Sequence, residues 1–153
     1  MRMDDGLRAS KQQALERFAA AAERVVALAE SGGALDDLQA ALSDAHSAFL
    51  ALPEGEEVGH APPDEGNHAA SRQVYERWRQ TSPRLADALA GAYRDFVDGL
   101  ELYRRGTPGD REAALWAWQS LYWQHWGGEL LLAQQAIHRV AARERFDRAL
   151  GGA

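Results

Sequence analysis

The stretch Ser82–Gly106, SPRLADALAGAYRDFVDGLELYRRG, decides the fold. Ser82 offers a side-chain oxygen to an open helix end. Pro83 suits the first helical position because the N–H it lacks has no partner there anyway. Leu85, Leu89, Ala92, Phe96, Leu100 and Tyr103 then recur at steps of three and four, the spacing that lines one face of an α-helix. Gly106 supplies the stop. A helix with such a stripe needs other apolar faces to cover it.

Those faces lie on both sides. Thr107-Pro108-Gly109-Asp110 repeats the start signal for a helix over about residues 108–126. Gly127-Gly128 is expected to break or bend it before a last stretch through Leu131, Ile137, Val140 and Phe146, ending near Gly151. Upstream, a short helix is expected through Val74, Tyr75 and Trp78. Before it, residues 53–66 hold Pro53, Pro62, Pro63, Gly55, Gly59 and Gly66, which read as a loop. A helix starting near Asp36 carries Leu35, Leu38, Leu42, Ala45, Phe49 and Leu52 at alternating steps of three and four, stopped by Pro53. This seam fits packing inside one chain or across a two-fold homodimer. Ser10 and Gln13 form a capping box for a first helix, with Leu15, Phe18, Ala22, Val25 and Ala29 on one face and a stop at Ser31-Gly32-Gly33. Residues 1–9 before it are expected to be flexible.

Composition agrees. The 153 residues include 30 Ala and 18 Leu against 6 Val, 2 Thr and 1 Ile, too few β-branched residues to pack a sheet. The chain reads as all-α, a single domain over residues 1–153, with four main helices and one short one in a bundle. No internal repeat is visible. The 16 Arg against a lone Lys11, with the Ala excess, suggest a GC-rich bacterial genome. The absence of cysteine excludes a disulfide scaffold, a zinc ribbon and a catalytic thiol. A net charge of −6 argues against a nucleic-acid surface. No apolar run is long enough to span a membrane, and the start lacks the apolar core of a signal peptide. A cytoplasmic location is the expectation.

Charge is unevenly placed. Between Ser31 and Ser71 stand eight acids (Asp36, Asp37, Asp44, Glu54, Glu56, Glu57, Asp64, Glu65) and no Lys or Arg, whereas Arg72–Arg94 carries five Arg against two acids. Either the acidic segment is simply solvated or paired to the Arg-rich helices, or it is a docking face for a basic partner.

Residues 115–129, LWAWQSLYWQHWGGE, hold four of the five tryptophans. At 100° per residue, Trp118, Leu121, Tyr122 and His125 share one face, with Leu115 and Trp126 at its edge and Trp116 and Trp123 opposite. A helix apolar on both sides is either central in the bundle or half-buried with a sticky outer stripe. His125 is expected on the apolar face, and Glu129 one turn on can meet it if the helix continues through the glycines. Such a pair serves as a structural hydrogen bond, an acid–base pair or two metal ligands, and no third ligand stands out. Glu57–His60 and Glu65–His68 have the Glu-x-x-His spacing of di-iron bundles, but they lie in or beside the loop. No nucleotide-binding loop, nucleophile elbow or zinc-protease motif occurs, and no metal or cofactor is expected.

The run Leu85-Ala86-Asp87, Tyr93-Arg94-Asp95-Phe96, Gly99-Leu100, Leu102-Tyr103 and Gly106, followed by Ala114, Trp116, Trp118 and His125-Trp126-Gly127, resembles a family of small bacterial helical proteins, domain of unknown function family 5063. The resemblance covers about residues 83–138. Family members often carry Arg-His after His-Trp-Gly, where this chain has Gly128-Glu129, so the one-turn spacing is kept without the second imidazole. The resemblance implies an all-α cytoplasmic bacterial protein and implies no activity.

Two readings follow. The favoured one is a non-enzymatic interaction module, adaptor- or immunity-like. It would bind a protein partner of basic character through Trp116, Trp123, Glu54, Glu56 and Glu57. The alternative is a small-molecule or metal-binding pocket built from His125, Glu129, Trp118, Tyr122 and Tyr103. No catalytic residue is assigned.

Overall fold

A computed structural model describes residues 2–61 and 66–151. Among these, α1 spans Arg2–Ser31, α2 Leu35–Leu50, α3 Gly66–Trp78, α4 Pro83–Arg105, α5 Pro108–Leu121 and α6 Gly127–Gly151, with a π-helical turn at Tyr122–Trp126. The turn joins α5 to α6 in one helical run, so the bundle has four long helices and the short α3. The all-α reading holds.

The central element is α4, which packs against α1, α3, α5 and α6. Its ends form as their residues dictate. Ser82 Oγ accepts from the Leu85 N–H at 3.1 Å, and Gly106 takes the left-handed conformation (φ 85°) that side chains resist. The stripe Leu85, Leu89, Ala92, Phe96 and Leu100 is buried, and Tyr103 is half-buried. At the start of α5, Thr107 Oγ1 accepts from the Asp110 N–H at 3.1 Å and donates to the Asp110 carboxylate at 2.7 Å.

Around α4 the core is aromatic. Phe18 meets Trp118 edge-on at 4.8 Å between ring centroids, and Phe49 and Phe96 flank Trp126 at 4.8 and 4.9 Å. Trp118 is completely buried against Gly99, where any Cβ would overlap the indole. Its N–H has no hydrogen-bond partner among the described residues, whereas the Trp78 and Trp126 indoles donate to the Ala29 and Trp118 carbonyls at 2.8 and 2.7 Å. The tight fit fills the space against α4 and leaves that one donor unpaired.

Several expectations need correction. Ser10 does not cap α1, which runs on to Arg2, so residues 2–9 are helical. Met3 and Leu7 there are 82% and 65% exposed, which leaves that extension of α1 without a core to pack on. Gly127-Gly128 does not break the chain. The irregularity comes one turn earlier, where the Gly127 N–H reaches back five residues to the Tyr122 carbonyl. Gly127 is required there because a Cβ would stand 2.5 Å from that oxygen and 2.7 Å from the Tyr122 ring.

The wide turn also inserts a residue that 100° spacing does not count. Trp126 therefore takes the core position expected for His125, and His125 faces out with its side chain 44% exposed. Downstream, Leu130, Ala133, Ala136 and Ile137 are buried, while Leu131 and Phe146 are exposed and Val140 is only half-buried. Pro62, Pro63, Asp64 and Glu65 of the expected loop lie outside the described residues.

Gly99→Ala should lower stability by about 1–3 kcal/mol, the usual cost of overpacking a filled core, because the Trp118 indole has nowhere to move. Chemical denaturation measures this directly. An unchanged midpoint would mean that the α4–α5 contact is looser than described.

Candidate functional site

The wide turn presents two surfaces. On one side it carries Trp123, 85% exposed. With Trp116 on α5, Leu50 at the end of α2, and Leu52 and Glu54 just beyond, it lines an open groove of about 400 Å³. Leu50 is itself 66% exposed. An indole and a leucine this bare, side by side, form an apolar surface that folding has not used.

The acidic rim of the groove is held in place rather than loose. Gln119 on α5 accepts from the Gly55 N–H at 2.7 Å and donates to the Pro53 carbonyl at 2.6 Å. Glu112 accepts from the Glu56 N–H at 2.8 Å and from Lys11 Nζ at 2.9 Å. A Cβ at Gly55 would come within 2.9 Å of Leu115, so only glycine lets the loop lie this close to α5. These bonds use the loop backbone and leave the exposed Glu54, Glu56 and Glu57 carboxylates without an ion pair among the described residues. Of the described acids between Ser31 and Ser71, Asp44 alone is paired, with Arg24 at 3.5 Å. Gln119 and Glu112 carried no sequence signal, because their role depends on how the loop folds back.

On the other side of the turn, His125 Nδ1–H donates to the Asp95 carboxylate at 2.7 Å. Asp95 is only 7% exposed and is the one buried charged residue described. Gly91 makes the room: a Cβ there would stand 3.2 Å from Glu129 and 3.3 Å from His125. Glu129 is thus close to His125, as one-turn spacing requires, but the hydrogen bond goes to Asp95 on α4. Sequence spacing could not show a partner 30 residues away.

Burial raises the Asp95 carboxyl above the usual carboxylate range, opposed by the hydrogen bond and charge of His125, with smaller influences from Asp98 and Arg94. Burial likewise raises Glu129, with His125 opposing and Asp87 and Asp95 reinforcing.

The five residues expected to line one pocket do not meet in one. Tyr122 turns toward α2, bonding His46 Nε2 at 2.9 Å and stacking on Phe49 at 4.2 Å. Trp118 is sealed in the core, and Tyr103 lies under the Arg111 guanidinium at 5.1 Å. Only His125 and Glu129 share a surface. Among the described residues no group of three His, Cys, Asp or Glu is placed to hold a metal ion, and Glu57 and His60 are exposed in the loop. Glu65 of the second Glu-x-x-His string lies outside the described residues. No described helix is long and apolar enough to cross a membrane.

Comparison with known proteins fits this picture. Residues 70–143 match the family described as Domain of unknown function (DUF5063), the family that the chain's motifs resemble. The matched region contains both tryptophans of the groove and the Asp95–His125 pair, whereas the acidic rim comes from outside it. No curated protein matches the chain. Among solved structures, the crystal structure of protein BF1032 from Bacteroides fragilis is similar, with a TM-score of 0.68 and 19% identity over 80% of this chain and 91% of that one. That likeness shows the fold.

Because their folded-state values are raised, Asp95 and Glu129 bind protons more tightly in the folded chain. The stability this contributes is full below the unfolded carboxylate values and is lost as pH rises through the folded ones. Asp95→Asn keeps an acceptor for His125 and removes the buried charge. It should raise the thermal midpoint near neutral pH, with the gain vanishing below about pH 4. A lower midpoint at neutral pH would show that the ionised carboxylate holds the fold.

Proposed function

We propose that this protein, similar to the DUF5063 family over residues 70–143, is a protein-interaction module whose groove takes a basic segment with apolar anchors. The observation that carries this reading is Trp123, 85% exposed beside Leu50 and Trp116 with Glu54 at the rim. Tryptophan in such a setting contributes much of the energy of an interface, because its large rigid ring buries area at low entropic cost. The unpaired acids of the rim select the partner's sign and speed encounter. The clamped loop adds to this, because a preorganised rim loses little freedom on binding.

The test is titration with a synthetic helical peptide bearing Leu on one face and Arg on the other, read by tryptophan fluorescence. Binding should weaken with added salt and fall about tenfold or more in Trp123→Ala. In the triple variant Glu54→Lys, Glu56→Lys, Glu57→Lys, association should slow markedly. Equal binding to wild type and to both variants would overturn the reading.

A further inference from the structure

We infer that the groove's occupant is a second copy of this chain, which docks the C-terminal part of its α6. The inference rests on the groove being a docking surface and names what fills it.

Among the described residues, eight large apolar side chains are exposed, and five of them (Trp123, Leu131, Leu132, Phe146, Leu150) lie on the run formed by the wide turn and α6. Their placement is ordered. Gly128, also exposed, lies five residues beyond Trp123, the step of the wide turn. Leu131, Gln135, His138, Ala142 and Phe146 then follow at steps of three and four, all exposed. The opposite face, with Leu130, Ala133 and Ile137, is buried in the bundle. Thus α6 carries an exposed row, apolar at Leu131, Ala142 and Phe146, that its own chain does not cover.

Charge gives the stripe a direction. At one end Glu54 lines the groove with Trp123, followed in the loop by Glu56 and Glu57. At the other, Arg139, Arg143, Arg145 and Arg148 stand close to Phe146 in sequence against only Glu144 and Asp147, with Arg145 and Arg148 beside Asp36 of α2. No ion pair described in the chain uses any of those four arginines or three glutamates. A single chain cannot bring the two ends together, because Trp123 and Phe146 are separated by about 34 Å of helix at 1.5 Å per residue.

A second copy running antiparallel can. A two-fold axis across the middle of α6 sets Phe146 of the partner subunit on Trp123 and Phe146 on Trp123 of the partner subunit, with the arginines over the acidic rim both times. The two aromatic anchors and the two charged ends are then each matched twice. Residues from Ala142 to Leu150 are exposed throughout and so remain free to enter a neighbour's groove.

Sedimentation of the full chain over a range of concentrations tests this. Wild type should form a dimer, weakened by salt. Trp123→Glu and Phe146→Glu should each raise its dissociation constant about tenfold or more. Circular dichroism should show both variants folded, because both side chains are exposed. Arg143→Glu with Arg145→Glu should break the dimer, as should Glu54→Arg with Glu57→Arg, and combining all four should restore it. A monomer at every concentration, or a dimer indifferent to Phe146→Glu, overturns the inference. In the first case, a monomer that still binds the basic peptide through Trp123 keeps the groove as a docking site, whereas one that does not removes both.

Discussion

One hydrogen bond organises this molecule: the Trp126 indole N–H donates to the Trp118 carbonyl at 2.7 Å, across the wide turn between α5 and α6. That carbonyl also accepts the Tyr122 backbone N–H. Both indoles are fully buried, and each packs on Phe18 from α1 and on aromatic neighbours. With Trp118 and Trp126 both in the core, the backbone between them accommodates one residue more than an α-helix does. Gly127 permits it, since a Cβ there would strike the Tyr122 carbonyl. The exposed direction of His125 follows from this constraint.

The fold was legible because its signals are local. Ser82, Pro83 and Gly106 mark α4, and the stripe from Leu85 to Leu100 is buried in its entirety. The family resemblance through His125-Trp126-Gly127 was likewise readable from the residues. What failed was the assumption of uniform helical spacing through residues 122–126. It put His125 in the core and Trp126 at its edge, and the wide turn reverses the two. The glycine pair invited a break, yet Gly127 sits inside the run for a steric reason that involves Tyr122. The Asp95–His125 bond was illegible for a different reason: it joins α4 to the turn, and periodicity within a helix carries no information about what crosses between helices.

Electrostatics ties the surfaces together. An acidic segment paired to the neighbouring arginines would show ion pairs from Ser31 to Ser71, and among its described acids Asp44 alone has one. The loop that carries Glu54 and Glu56 is fastened through its backbone to Gln119 and Glu112, which leaves the carboxylates free to face a partner. Among the described residues the arginines near Phe146 form no ion pair either. The self-recognition we propose would draw its steering from this separation of charge and its affinity from the aromatic anchors.

The most direct measurement is to delete Gln124, an exposed residue of the wide turn, and to follow both folding and docking. Removing one residue converts the turn to ordinary α-helix and leaves α5 and α6 in register, so the variant should remain helical and fold cooperatively with some loss of stability. Trp123 keeps its seven-residue spacing from Trp116 and should stay in the groove, so peptide binding should persist. An unfolded chain would contradict the account, because the turn would then not be a single insertion in an otherwise continuous helix.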